Sequence, residues 1–225
     1  DRGMSRGLGD VYKRQDISLY QYTLDTAFDI SSKNAGSEEK LALNPAGDPI
    51  SNQTDDITFN NDGTKLFAIS DNGAMNIHIL STPYDISDAT LVADDGINWR
   101  TYKEPWGSSN TTMLPQTIRF NNDGTKMYLT EAVINTTDPQ ESVGVVQYNL
   151  ATPFVPSSTT TVQVLNLRAQ FPKTNKAIHA MNFDDDGTRM YVSAGNFNVL
   201  TDHPHAVYEL SMPFEISSAK HVGTF

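Results

Sequence analysis

Three nearly identical strings limit what this chain can fold into. "FNNDGTKLF" begins at Phe59, "FNNDGTKMY" at Phe120 and "FDDDGTRMY" at Phe183, and a second string follows each: "LSTPYDIS" at Leu80, "LATPFVPS" at Leu150 and "LSMPFEIS" at Leu210. A further copy, "LDTAFDIS" at Leu24, has no DGT string before it. Self-similarity at a period of about 60 residues means a tandem array of one supersecondary unit, and the expected content is half a repeat followed by three whole ones.

Each whole repeat reads as four strands. The first ends in "DITF", "TIRF" or "AMNF"; the second is "KLFAIS", "KMYLTE" or "RMYVSA"; the third is "NIHIL", "VVQYNL" or "AVYEL"; the fourth is "ATLVA", "TVQVLNL" or "KHVGTF". These segments are rich in β-branched and aromatic residues. No segment sustains a 3.6-residue apolar period, so no helix is expected. Four-stranded antiparallel units in tandem predict an all-β chain, a β-propeller fragment of about three and a half blades in an open arc. The half blade is placed at 16–45 and the blades at about 55–93, 116–167 and 178–225. An arc of this size is expected to leave an exposed blade face at each end, prone to self-association.

The DGT string allows two readings. Asn-Asp-Gly between two strands suits a short hairpin with Gly in the left-handed region. It also offers acidic oxygens of the kind that bind calcium, at Asn60 and Asp62, Asn121 and Asp123, or Asp184 and Asp186. An EF-type loop needs a bidentate Glu six residues after the glycine, and those positions are Ile69, Thr130 and Ser193. The turn reading is preferred.

"F-N-x-D-G-T-K-x-Y" followed by "L-x-T-P-F-D-I-S" resembles the YVTN and WD40-like propeller repeats of secreted bacterial, marine bacterial and phage proteins. The resemblance covers residues 16–225 and implies the propeller fold, but it leaves function open, because such repeats serve lactonases, envelope proteins and phage structural proteins alike. The repeats are longer than is usual for the family, and they lack the WD dipeptide.

Composition removes several function classes. With 27 acidic against 16 basic residues the net charge is −11, and no Lys/Arg cluster offers a phosphate-binding surface, so nucleic acid is not an expected partner. The chain has no cysteine, which excludes disulfides, zinc–thiolate sites and a thiol nucleophile. No apolar run approaches the roughly 18 residues of a membrane span. G-x-S-x-G, P-loop, G-x-G-x-x-G and H-E-x-x-H motifs are absent.

Residues 5–15, "SRGLGDVYKRQ", resemble the in-frame translation of a transposase adapter used in preparing sequencing libraries, so residues 1–15 are set aside as a non-native segment. Without their four basic and two acidic residues, 12 basic and 25 acidic remain, a net charge of −13. The natural start, with any signal peptide, is then expected upstream.

Loop lengths indicate where function should sit. In a four-stranded meander the 1–2 and 3–4 turns share one end of the blade, and here their lengths hardly vary. The 2–3 connections (70–75, 131–144, 194–206) and the inter-blade connections (93–116, 166–178) lie at the other end and vary widely. Long loops on a rigid scaffold are where binding usually resides. Four residues before each motif Phe stand Asp55, Gln116 and His179, expected at the start of the innermost strands, where they could line a channel, hold a polar ligand or act as acid–base groups. Glu131 adds a carboxylate near the same rim. Trp99, Tyr102 and Trp106 cluster in one connection and either bind a ligand by stacking or fold back to cap the propeller. "TDHPHA" offers Asp202, His203 and His205 as weak candidates for a transition metal. Sequons at Asn52, Asn110 and Asn135 all fall in variable loops.

Two functions remain open. The favoured one is a non-catalytic module that recognises a protein or glycan through its variable face, in a secreted, envelope or virion setting, with the remaining blades of its full-length chain as further partners. The alternative is a lactonase- or hydrolase-like propeller enzyme centred on Asp55, Gln116 and His179. No cofactor is required by either, with calcium or a transition metal as the possible exceptions.

Overall fold

The computed structural model describes residues 17–43, 54–70, 73–94, 97, 99, 112–134, 143–167, 169–171, 176–196 and 204–225. Among these residues there are fourteen β-strands and five short 3-10 turns, and no α-helix. A two-stranded unit comes first, β1 (Ser18–Gln21) with β2 (Glu39–Ala42). Three four-stranded meanders follow, each antiparallel and in chain order. The first is β3 (Asp56–Phe59), β4 (Lys65–Ile69), β5 (Met75–Ile79) and β6 (Thr90–Asp94). The second is β7 (Thr112–Phe120), β8 (Lys126–Ile134), β9 (Val143–Leu150) and β10 (Thr159–Asn166). The third is β11 (Lys176–Phe183), β12 (Arg189–Asn196), β13 (His205–Leu210) and β14 (Ala219–Thr224).

The first strands β3, β7 and β11 approach one another, while the fourth strands lie on the exposed outside. The sheets are therefore blades arranged around an inner rim, an open arc of a β-propeller. Strand alternation gives every blade a forward face toward the next blade and a backward face toward the previous one. Phe67, Ile69 and Met75 on the forward face of the first four-stranded blade pack on Ile118, Met127, Leu129, Val146 and Tyr148 of the second. Tyr128 and Val145 repeat that packing against Ile178, Met181, Met190, Val192, Ala206 and Tyr208 of the third. Leu19 and Leu41 of the two-stranded unit cover Leu66, Ala68 and Leu80. Each fully buried large side chain stabilises the fold by about 1.5–3 kcal/mol, so the inter-blade layers are the core.

The DGT strings form hairpin turns. Gly63, Gly124 and Gly187 have φ of 71°. In the first turn Asp62 Oδ1 accepts from the Thr64 N–H (3.0 Å) and hydroxyl (2.6 Å), and Asn60 Oδ1 accepts from the Lys65 N–H (2.8 Å). The same bonds recur at Asp123 with Thr125, Asn121 with Lys126, Asp186 with Thr188 and Asp184 with Arg189. Hydrogen bonds from Thr64, Thr125 and Thr188 hold the Asp62, Asp123 and Asp186 carboxyls below the ordinary aspartate value. Their oxygens thus serve the turn itself. The EF-loop glutamate positions, Ile69, Thr130 and Ser193, lie in strands.

The second repeated string supplies the partner of that glycine. Tyr84, Phe154 and Phe214 sit at φ of 61°, 56° and 58°, a region that costs a non-glycine residue about 1–3 kcal/mol. Each donates its backbone N–H to the glycine carbonyl (2.9 Å in all three) and lays its ring over the glycine Cα. The rings also contact the motif phenylalanines Phe59, Phe120 and Phe183, with centroids 5.3–5.4 Å apart. Phe28, with no DGT turn to meet, still adopts φ of 64°, so the strained turn is set locally by its own string.

Strand ends correct the sequence-based boundaries. Positions 112–116 and 131–134, expected as connections, are paired β7–β8 backbone (Thr112↔Ile134, Pro115↔Glu131). Likewise 176–178 and 194–196 are paired β11–β12 backbone. The β-branched run around Thr130 carries the hairpin past the point where the first blade turns. Glu131 consequently lies inside β8, opposite Pro115 and Gly144, and does not end it.

A β-carbon on Gly124 would stand 2.3 Å from the Phe154 ring as well as at a positive φ. Gly124→Ala should lower unfolding free energy by about 2–4 kcal/mol in urea denaturation, while Gly36→Ala, whose β-carbon would make only an ordinary contact with Asn34 Oδ1 at 3.4 Å, changes it by less than about 0.5 kcal/mol. The turn aspartates have folded-state pKa values below their unfolded ones, so their contribution is complete above the unfolded value and is lost as pH falls through the folded one. Denaturation midpoints should therefore hold from neutral pH down to about pH 5 and fall below about pH 4, less steeply in an Asp62→Asn/Asp123→Asn/Asp186→Asn variant.

Candidate functional site

The inner rim is built by strands with a sheet partner on one side only, so part of their backbone polar groups faces away from the ladder. Neighbouring blades capture these groups with side chains. Asp56 Oδ2 accepts from the Ile118 N–H (3.0 Å) and from the Arg119 guanidinium, an ion pair across the first blade junction. At the next junction the Thr117 hydroxyl donates to the His179 carbonyl (3.0 Å), and the buried Thr130 hydroxyl donates to the Ile178 carbonyl (3.1 Å).

Gln116 and His179 occupy a special backbone position. Pro115 and Thr117 pair with the adjacent residues Glu131 and Thr130, leaving Gln116 as an extra residue, and Ile178 and Ala180 flank His179 in the same way. Both are β-bulges, which bend a strand and re-aim a side chain. Asp55, the equivalent residue of the first blade, precedes β3 and donates its N–H to the Ile69 carbonyl (2.9 Å). Gln116 Nε2 makes a long contact to its neighbour's carbonyl, Pro115 O, at 3.5 Å. All three residues are half-buried. The structure thus gives Asp55, Gln116 and His179 one structural position in three successive blades.

The other candidates separate. Trp99 is fully buried, edge-to-face on Tyr148 at 5.2 Å, and its backbone N–H donates to the Gly73 carbonyl (2.9 Å). It takes the folded-back role, because an indole sealed between two blades has no free face for a ligand. Phe171, which the sequence did not single out, plays the same part at the following junction with Leu167. The signal was an aromatic in each inter-blade connection. His205 is exposed at the start of β13 and exchanges backbone hydrogen bonds with Phe225 (3.0 and 2.8 Å). Tyr102, Trp106, Asp202, His203 and the three sequon asparagines lie outside the described residues, as does the Glu131 side chain. Among the described residues no three His, Asp or Glu side chains form a metal-binding group.

No family model and no curated protein matches the sequence. Among solved structures the chain is similar to a protein from Lactobacillus plantarum, at 12% identity and a TM-score of 0.50, over 92% of this chain and 50% of that one. It also matches the β-propeller domain of Cps50 (Swd1) from Myceliophteria thermophila, at 13% identity and a TM-score of 0.42, over 84% of this chain and 48% of that one. The chain spans about half the length of both, and at 12% identity the likeness to the Lactobacillus plantarum protein concerns the fold alone. Among the described residues no helix is long and apolar enough to cross a membrane.

The Thr130–Ile178 bond lies in a buried junction. Thr130→Val should cost about 1–3 kcal/mol in urea denaturation by leaving that carbonyl without its donor, whereas Thr160→Val, at an exposed hydroxyl, should stay within about 0.5 kcal/mol.

Proposed function

We propose that this chain is a non-catalytic β-propeller module that recognises a protein or carbohydrate through the connections at one end of its blades. The carrying observation is an asymmetry between the two ends. At one end every blade repeats the same two turns, locked ring on glycine; at the other, the 2–3 connection spans 70–74 in the first four-stranded blade but the longer 135–142 and 197–204 in the next two, and the inter-blade connections run 95–111 and 167–175. Rigid strands that run on to Ile134 and Asn196 would present those connections away from the locked turns. An acidic surface without basic clusters favours a polar, uncharged or basic partner over nucleic acid. The resemblance to secreted and phage repeats favours an extracellular, envelope or virion setting.

A second reading has one observation in its favour. Bulges concentrate next to active sites, and they fall here at Gln116 and His179, two of the residues that a hydrolase centred on the inner rim would use. The two readings separate in one set of experiments. The chain is applied to an array of bacterial polysaccharides, alongside variants with 135–142 or 197–204 replaced by Asn-Gly. Binding weakened at least about ten-fold in a shortened variant of unchanged circular dichroism supports recognition. Turnover of lactone or ester substrates, abolished by His179→Ala, would replace it with the enzyme reading.

A further inference from the structure

Among the described residues nothing packs on the forward face of the last blade. Tyr191 is 43% exposed, whereas its counterparts Phe67 and Tyr128 are fully buried. Ala180, Tyr191, Ser193, His205 and Val207 line a hollow of about 350 Å³ there. The two internal junctions and the junction to the two-stranded unit show what such a face receives.

One pair of positions decides the fit at each junction. The third strand of a blade carries Gln21, Ile77, Gln147 or Val207 at equivalent places. In the 3–4 turn of the following blade Ile86 meets Gln21 and Ile216 meets Gln147, and Pro156 is their counterpart by repeat position in the turn whose Phe154 carbonyl Lys65 of the Ile77 blade reaches (3.4 Å). Gln21 Oε1 accepts from the Ile86 N–H (2.9 Å), and its Nε2 donates to the Tyr84 carbonyl (2.6 Å). Gln147 Oε1 accepts from the Ile216 N–H (3.0 Å), and its Nε2 reaches the Glu215 carboxylate (3.2 Å). Between them Ile77 packs in the apolar layer, and the facing turn has the buried Pro156, which carries no N–H. Glutamine thus occurs where the next turn has a donor to satisfy, and an aliphatic residue where it has none. A buried N–H left without an acceptor, or a buried carboxamide facing a proline, would be costly, so the two positions are chemically linked.

Val207 stands at this position on the uncovered face. We infer that the face receives the next blade of its own polypeptide, and that this blade carries proline in its 3–4 turn where Ile86 and Ile216 stand. Continuity with the existing junctions favours a blade: the same face meets one at each junction within the chain. The linked pair argues against a second copy docking head to tail. Such a copy would present Ile30, whose position bears an N–H, to a valine that cannot accept it.

The test appends blades after Phe225, using segments whose turn chemistry is known: 95–167, which contains Pro156, or 168–225, which contains Ile216. Amide exchange in β12 and β13 and the thermal midpoint report docking. The proline-turn blade is expected to slow exchange in these strands about ten-fold relative to the parent. The isoleucine-turn blade should do so only together with Val207→Gln. Equal protection by both blades with Val207 in place would overturn the pairing. So would a parent dimer that Val207→Arg dissociates, which would make a second copy the occupant. Because an appended blade can fail to fold, a cycle within the native chain gives an independent reading. Gln147→Ile should be at least about ten-fold more damaging to the folding equilibrium alone than in an Ile216→Pro background, and additive effects would overturn the proposal.

Discussion

Everything regular in this molecule depends on the contact between an aromatic ring and a glycine at one end of each blade. The glycine must have positive φ to close the 1–2 hairpin, and it must lack a β-carbon because the ring of the 3–4 turn lies 2.3–2.4 Å from where that atom would be. The ring residue is itself held at positive φ by its own turn, as Phe28 shows without a facing glycine, and the glycine, free to take positive φ, leaves room for the ring. Ring contact with the motif phenylalanine and the N–H bond to the glycine carbonyl complete the unit. Both hairpins of a blade are thereby tied at the same end, which fixes the strand register and prevents either turn from changing length. The opposite end carries no such tie, and its connections vary freely.

Blades so built still have to be held to one another. The apolar layers supply most of the stabilisation, but apolar layers alone tolerate sliding. The polar bonds across the junctions fix the relative position. Asp56 reaches the Ile118 N–H, Thr117 and Thr130 reach the bulge carbonyls, and the Tyr128 hydroxyl donates to the Phe214 carbonyl. Lys126 bonds Glu215 at 2.9 Å. Burial works to raise the Glu215 carboxyl, yet hydrogen bonds from Lys126 and Gln147 outweigh it and hold the group below its ordinary value. At the 1–2 turns Asn61 and Asn122 donate to the carbonyls of Asn122 and Asp185. Bulges at Gln116 and His179 belong to this scheme, because the carbonyls at the second bulge are the ones that the neighbouring threonines capture.

Much of this was legible in the sequence. The number of blades, the strand order, the left-handed glycine and the division into an invariant and a variable end all follow from repeat spacing and turn chemistry. Strand extents were not legible, because residues such as Ala132–Ile134 lie among turn-forming neighbours and read as loop until a paired strand is placed opposite them. Trp99 was ambiguous for a related reason: an aromatic in a long connection has the same sequence signature whether it faces solvent or seals a junction. Asp55, Gln116 and His179 were found by counting from the motif phenylalanine, which identified an equivalent position but gave no hint that two of them are bulges.

The linked glutamine and proline positions show why the repeats are similar without being interchangeable. An array of identical blades would allow any blade to dock on any other, in cis out of order or between chains. Two solutions to the same junction, one polar and one apolar, make the wrong pairing unfavourable in both directions: a proline turn leaves a glutamine unsatisfied, and an isoleucine turn against an aliphatic residue leaves an N–H unsatisfied. The penalty falls in a buried place, Gln147 being fully buried and Ile216 nearly so, where water cannot relieve it. Discrimination at this point requires no change in the ring-on-glycine contact, which every blade shares. Blade order is therefore specified at positions separate from those that specify the blade, and the two sets of residues are free to vary independently.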